Sequence, residues 1–226
     1  MKEQISGQIS EIFRSLQGEG PYLGAEQIFV RFSGCNLVCK FCDTKNLSSC
    51  DYTLEAIMKE IEGLPGPNSV SITGGEPLLQ ADFLGLLLKE LKARKFKVYL
   101  ETNGTLVEGL SRVVDYVDIV SMDFKLPSST GLKDYSNQHS EFLKLARIKE
   151  VFIKAVITEA TCFDDVLSAV KIINRQDKDI LLILQPDTNQ LSQELFKKMS
   201  DLRSLALEYL SNVRIIPQMH KILGVR

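Results

Sequence analysis

Short runs of β-branched and apolar residues alternate along this chain with longer stretches whose apolar positions recur every three or four residues. The short runs predict strands at 27–32, 69–72, 97–100, 117–122, 151–157, 180–184 and 213–216. The longer stretches predict helices at 53–63, 80–94, 142–148, 164–174 and 192–210. In 80–94, Leu84, Leu87, Leu88 and Leu91 fall on one helical face, the pattern of a core-packing helix. Strands alternating with helices imply βαβ units and a parallel sheet. At 226 residues the chain is shorter than the roughly 250 of a complete eight-stranded barrel. The expected fold is therefore α/β: a partial, open, roughly six-stranded parallel β/α barrel, one domain over 1–226, without internal repeats.

In such a fold, active residues gather at the C-terminal ends of the strands. Four strand tips carry polar or glycine-rich sequence there: T-G-G-E at 73–76, E-T-N-G at 101–104, D-F-K at 123–125 and Q-P-D at 185–187. The polar, turn-rich stretch 127–140 reads as a surface loop. So does 14–24, with three glycines and a proline ahead of the first strand.

Composition narrows the function classes. Lys and Arg number 27 against 29 Asp and Glu, with no long basic run, so no nucleic-acid partner is expected. Residues 1–10 lack an apolar secretory core, and no apolar run is long enough to span a bilayer. The chain reads as cytoplasmic, with no membrane partner. Two histidines, His139 and His220, exclude a multi-histidine metal site.

Cysteine is the informative residue. Cys35, Cys39 and Cys42 stand in C-x3-C-x2-C spacing just after the first predicted strand. In a reducing compartment such a cluster points to metal rather than to disulfides. Three thiolates on a [4Fe–4S] cluster would leave one iron open to a ligand. Cys50 could instead complete a closed four-cysteine zinc site or electron-transfer cluster, and the spacing alone leaves both readings open. Cys162, opening a helix, reads as a small buried hydrophobe.

Three motifs follow in order: the cysteine triad with Phe41 before its last member, Thr73-Gly74-Gly75-Glu76-Pro77 after one strand, and Glu101-Thr102-Asn103-Gly104 after the next. Together they resemble the radical S-adenosylmethionine superfamily. Residues 11–20 (EIFRSLQGEG), 30–37 (VRFSGCNL), Asp43-Thr44 and 214–220 (RIIPQMH) resemble, within it, the 7-carboxy-7-deazaguanine synthases, over essentially the whole chain. The Q-G-E-G element is the most specific part.

The resemblance implies a lyase of 7-deazapurine and queuosine biosynthesis. It would convert 6-carboxy-5,6,7,8-tetrahydropterin to 7-carboxy-7-deazaguanine with loss of ammonia. S-adenosylmethionine would be the radical source, the protein supplying geometry and exclusion of water. Cys35, Cys39 and Cys42 would hold the [4Fe–4S] cluster. Phe41, Gly74, Gly75, Glu76 and Glu101 would contact S-adenosylmethionine, as would Asp123, Phe124, Lys125 and the tip Gln185, Pro186, Asp187, Thr188. Gly74 and Gly75, lacking Cβ, would let backbone approach the cofactor. Thr44 would ligate Mg2+, with oxygens borrowed from water and the substrate carboxylate.

For the pterin, the resemblance points to Leu16, Gln17, Gly18, Glu19, Arg31, Thr73, Gln218 and His220. Glu19 would accept from the guanine-like edge, and Arg31 would pair with the substrate carboxylate. Family members are homodimers, often reduced by a flavodoxin or ferredoxin, and the same is expected here. Two rivals remain: an activase that installs a glycyl radical on a partner protein, and a zinc- or cluster-bearing binding module using Cys50. The Q-G-E-G loop and Arg31, suited to a small anionic heterocycle, argue against the activase, and the iron content of Cys50→Ala discriminates the module.

Overall fold

A computed structural model describes residues 5–44 and 47–224. Residues 1–4 of the polar N-terminal stretch lie outside it. Among the described residues, nine strands form one sheet. They are β1 (Gly7–Leu16), β2 (Glu26–Phe32), β3 (Cys50–Tyr52), β4 (Ser69–Gly74), β5 (Lys97–Thr102), β6 (Ile119–Asp123), β7 (Glu150–Ile157), β8 (Leu182–Pro186) and β9 (Val213–Ile215). The order is β3-β1-β2-β4-β5-β6-β7-β8-β9, open at both ends. From β2 to β9 every neighbour in the sheet is parallel, whereas β1 pairs antiparallel with β2 and β3. The parallel part thus holds seven strands rather than about six.

The crossovers are helical: α1 (Leu54–Glu62), α2 (Ala81–Ala93), α3 (Val107–Val113), α4 (Pro127–Thr130), α5 (Ser136–Ala146), α6 (Phe163–Gln176) and α7 (Gln193–Leu207), with α8 (Met219–Leu223) closing the chain. Local chemistry sets their ends. Thr53 and Ser192 cap α1 and α7, their hydroxyls accepting from Ala56 N and Leu195 N. The α2 leucines at 84, 87, 88 and 91 are fully buried, each contributing about 1.5–3 kcal/mol.

Period-two alternation sorts each strand into two faces. Outward residues such as Val70, Ile72, Val98, Leu100, Val120 and Met122 pack with the helices into the main core. Inward residues split by depth. Tyr99, Ile119, Phe152, Leu181 and Ile183 form an apolar plug, with Tyr22 and Ile216 against it. Above that plug, towards the strands' C-terminal ends, inward positions become polar, among them Ser71, Glu101, Ser121, Lys154 and Gln185.

Four expectations need correction. The stretch before β2 is not all loop. Gly7–Leu16 is a ten-residue strand, so Arg14–Leu16 belong to the sheet. A register shift between Ile9 and Glu11 breaks the alternation that would have revealed it. The 127–140 loop is largely helical, in α4 and the start of α5. Ser129 and Thr130 are buried there because their hydroxyls bond back to Leu126 O at 3.2 and 2.7 Å. The helix expected from 142 starts at Ser136. Cys162 is exposed, at the N-cap position of α6, not buried.

Candidate active site at the strand tips

The polar layer lines a cavity of about 250 Å3. The loop 33–44 after β2 supplies one wall, with Cys35, Cys39, Phe41, Cys42 and Thr44. The tip of β4 lies directly against that loop. Gly75 N–H donates to Phe32 O at 3.1 Å, and Glu76 N–H to Gly34 O at 2.8 Å. A Cβ on Gly75 would meet Gly34 O at 2.1 Å, and one on Gly74 would meet Phe32 O at 2.1 Å. What these glycines approach closely is the backbone of the β2 strand end and cysteine loop.

Asn103 pins the same loop from β5. Its side-chain Oδ1 accepts from Thr105 N–H (3.1 Å) and the Thr105 hydroxyl (2.6 Å). Its amide N–H2 therefore faces Asn36 Oδ1 (2.9 Å) and Cys35 Sγ (3.9 Å). Behind it, His139 Nε2 lies 3.1 Å from Asn103 O, and its ring packs 4.4 Å from Phe124. Burial holds the His139 imidazole down at about 4.

The floor is a string of alternating charges. Lys154 Nζ contacts Glu19 Oε2 and lies 3.5 Å from Asp123 Oδ2; Lys125 Nζ is 2.8 Å from the same Asp123 oxygen. Lys125 also stands over the Phe41 ring at 5.7 Å. Burial alone would raise the Glu19 carboxyl, but Lys154 and the Gln218 amide bring it down to about 2. Burial likewise pulls on Lys154, but Glu19 and Asp123 more than offset it and raise its pKa. Glu101 gathers three neutral donors: Gln17 Nε2 (3.1 Å), Ser71 Oγ (3.1 Å) and Thr73 Oγ1 (3.0 Å). Arg31 Nε donates to Glu11 at 2.7 Å, its guanidinium 5.8 Å from the Phe13 ring. The C-terminal segment closes the mouth. Met219 N–H donates to Gly18 O (2.9 Å), and Lys221 pairs with Asp43 (2.6 Å).

Most residues singled out from sequence therefore share one cavity: Leu16 to Glu19, Arg31, the three cysteines, Phe41, Thr44, Thr73 to Gly75, Glu101, Asp123, Lys125, Asp187, Gln218 and His220. Five stand elsewhere. Glu76 is fully buried behind the wall, accepting from Leu78 N, Thr102 Oγ1 and Asn103 N. Burial pushes its carboxyl up to about 7, against those hydrogen bonds. Phe124 borders a smaller pocket of about 120 Å3 with His139. Gln185 and Pro186 are buried at the end of β8, Gln185 donating to Glu19 Oε1 at 3.0 Å. The Thr188 hydroxyl bonds Gln218 at 2.7 Å. Sequence reading missed Lys154 and Ser121, and gave Asn103 no role of its own within the E-T-N-G tip. A lysine inside the apolar run V-F-I-K-A-V-I was the available signal for the first, since buried strands rarely spend a position on an ammonium without a partner.

The donor set suits a polynuclear cluster. Burial pushes the Cys35 and Cys39 thiols up, against the pull of Lys125. Three thiols, Cys35, Cys39 and Cys42, line the cavity, and a cubane spreads its thiolates over separate irons. Cys50 is exposed on β3 and is not among the residues around the cavity. For an amino-acid ligand the fit is equally specific. Asp123 Oδ1 is a buried acceptor with no partner, beside the Lys125 ammonium.

A profile of the radical SAM superfamily matches residues 29–189. The 7-carboxy-7-deazaguanine synthase of Geobacter sulfurreducens is 39% identical, the match covering 96% of this chain and 97% of that protein. The enzyme of the same name from Methanopyrus kandleri is 35% identical over 95% and 92%. Among solved structures, the crystal structure of QueE from Escherichia coli superposes with a TM-score of 0.67 at 23% identity, covering 95% of each chain.

Proposed function

Since the chain belongs to the radical SAM superfamily and, within it, to the 7-carboxy-7-deazaguanine synthases, we propose that the cavity at the strand tips is where its ring contraction takes place. The enzyme is a radical SAM lyase. It converts 6-carboxy-5,6,7,8-tetrahydropterin to 7-carboxy-7-deazaguanine with loss of ammonia. One observation carries the placement: three thiols line one wall of a cavity whose other walls carry Gln17, Glu19 and Arg31.

The cluster and S-adenosylmethionine, when bound, supply the one-electron, hydrogen-abstracting chemistry. The chain's residues do the rest. Cys35, Cys39 and Cys42 hold the cluster; Asp123 offers its unpaired oxygen to the amino group of the cofactor and Lys125 its ammonium to the carboxylate. Gly74, Gly75 and Phe41 shape that half of the cavity. In the other half, Glu19 accepts from the pterin's amino edge, and Gln17 and Glu101 brace the loop that carries it. Arg31 takes the substrate carboxylate. Thr44, whose hydroxyl is 3.6 Å from Cys42 Sγ, supplies a protein oxygen for Mg2+, with water and substrate oxygens completing the shell.

One continuous sheet from Gly7 to Ile215 supports a single domain. Among the described residues no helix is long and apolar enough to cross a membrane. A homodimer, a flavodoxin- or ferredoxin-type donor and a cytoplasmic location complete the reading.

The test is anaerobic turnover of the reconstituted, reduced protein with S-adenosylmethionine, Mg2+ and 6-carboxytetrahydropterin, read by mass spectrometry. The deazaguanine product should form and should vanish in Cys39→Ala. Cofactor cleavage without that product would overturn the placement of the pterin.

A further inference from the structure

Resting on the reading of Glu19 as part of the pterin wall, we infer that Lys154 sets the ligand specificity of this site by keeping Glu19 a pure hydrogen-bond acceptor. Lys154 sits at an inward position of β7, its side chain only 12% exposed. Its ammonium lies between two carboxylates, Glu19 and Asp123. It is not needed to staple the sheet, because Asp123 and Lys154 are already backbone-paired partners on β6 and β7. What the ammonium adds is charge beneath Glu19.

The consequence follows from counting donors. A carboxylate offers about four lone-pair sites. Lys154 takes one on Oε2; Gln185 Nε2 (3.0 Å) and Gln218 Nε2 (2.8 Å) take two on Oε1. All three partners donate, so Glu19 is satisfied only as the anion, with about one acceptor site left for a ligand. A ligand amine or ring N–H fits that site. A carbonyl oxygen there would face a carboxylate oxygen with no hydrogen between them, a buried mismatch that such sites reject strongly.

Besides Lys154, the titratable groups that act on Glu19 are Asp43 from the cysteine loop, His220 from α8 and the Tyr99 hydroxyl from β5, while Asp123 from β6, itself paired with Lys125, and Glu101 from β5 flank Lys154. With Lys154 neutralised, the buried Glu19 loses its countercharge, and burial beside Asp43 favours its protonated form. The protonated form carries a hydroxyl and can serve a carbonyl. Lys154 is thus a positioning residue: it acts through Glu19 to select a 2-amino over a 2-oxo heterocycle.

The test compares two stable probes, 6-carboxypterin and its 2-oxo analogue 6-carboxylumazine. Each is titrated into the full-length, cluster-loaded protein with S-adenosylmethionine and no reductant. Wild type should prefer the pterin by about 100-fold or more. In Lys154→Met the preference should fall below about 10-fold, through weaker pterin binding with lumazine binding equal or tighter. Lys154→Arg should restore it. If Lys154→Met does not fold, Lys154→Gln removes the charge while keeping a donor, and should show the same collapse. A neutral variant that binds both probes more weakly but keeps the wild-type ratio would overturn the role of Lys154. Failure of wild type to bind 6-carboxypterin at all would instead overturn the pterin reading on which it rests.

Discussion

A methyl group added at Gly75 tests what the glycine pair is for. The new Cβ would lie 2.1 Å from Gly34 O and 3.0 Å from Cys35 Cβ, where ordinary contact begins at 3.4 Å. The β4 tip and the cysteine loop would have to part by about 1.3 Å. That breaks the bonds from Gly75 N–H to Phe32 O and from Glu76 N–H to Gly34 O. Two backbone bonds at about 1 kcal/mol each, plus about 1–3 kcal/mol for overpacking, give Gly75→Ala a cost of about 3–5 kcal/mol. For a chain of this size the midpoint of melting should drop by roughly 10 °C. The assay is urea and thermal unfolding of the metal-free protein without S-adenosylmethionine, followed by iron content after reconstitution. Stability and iron loading should both fall. Unchanged stability and iron, with only S-adenosylmethionine affinity lost, would refute the reasoning and return the glycine to the cofactor.

Three other outcomes are expected. Cys50→Ala should retain full cluster iron, since Cys50 lies exposed on β3 away from the cavity; iron analysis against Cys39→Ala checks it. Stability should fall as pH drops from about 6.5 to about 4, because His139 is held neutral in the folded protein and the unfolded chain takes up its proton first. The full loss is about 3 kcal/mol, present as stability above pH 6.5, and urea midpoints of wild type and His139→Gln across that window should differ in slope. Lys221→Ala, breaking a partly exposed pair with Asp43, should cost less than about 1 kcal/mol in the same unfolding assay.

Much of the chemistry was legible because it is local. C-x3-C-x2-C, G-G-E-P and E-T-N-G each fit within a few residues, and the apolar alternation placed each after a strand. Strands β2 and β4 to β9 were readable because buried parallel strands are near-continuous apolar runs. Strand β1 was not, since its bulge breaks the period; nor was β3, with only three residues.

The sequence by itself determined the cysteine spacing, the motifs that mark the family and the alternation of strand and helix, because spacing and side-chain periodicity are properties of neighbours along the chain. Only the tertiary structure decided which groups face one another across the cavity. Lys154 and Glu19 are 135 residues apart, and Gln218 and Glu19 199 apart. The same folding turned Glu76 inward, though it sits in the most recognisable motif, and left Cys50 outside. Charge pairing in a buried site depends on distance and on the removal of water, and neither quantity exists until the strands have closed around it.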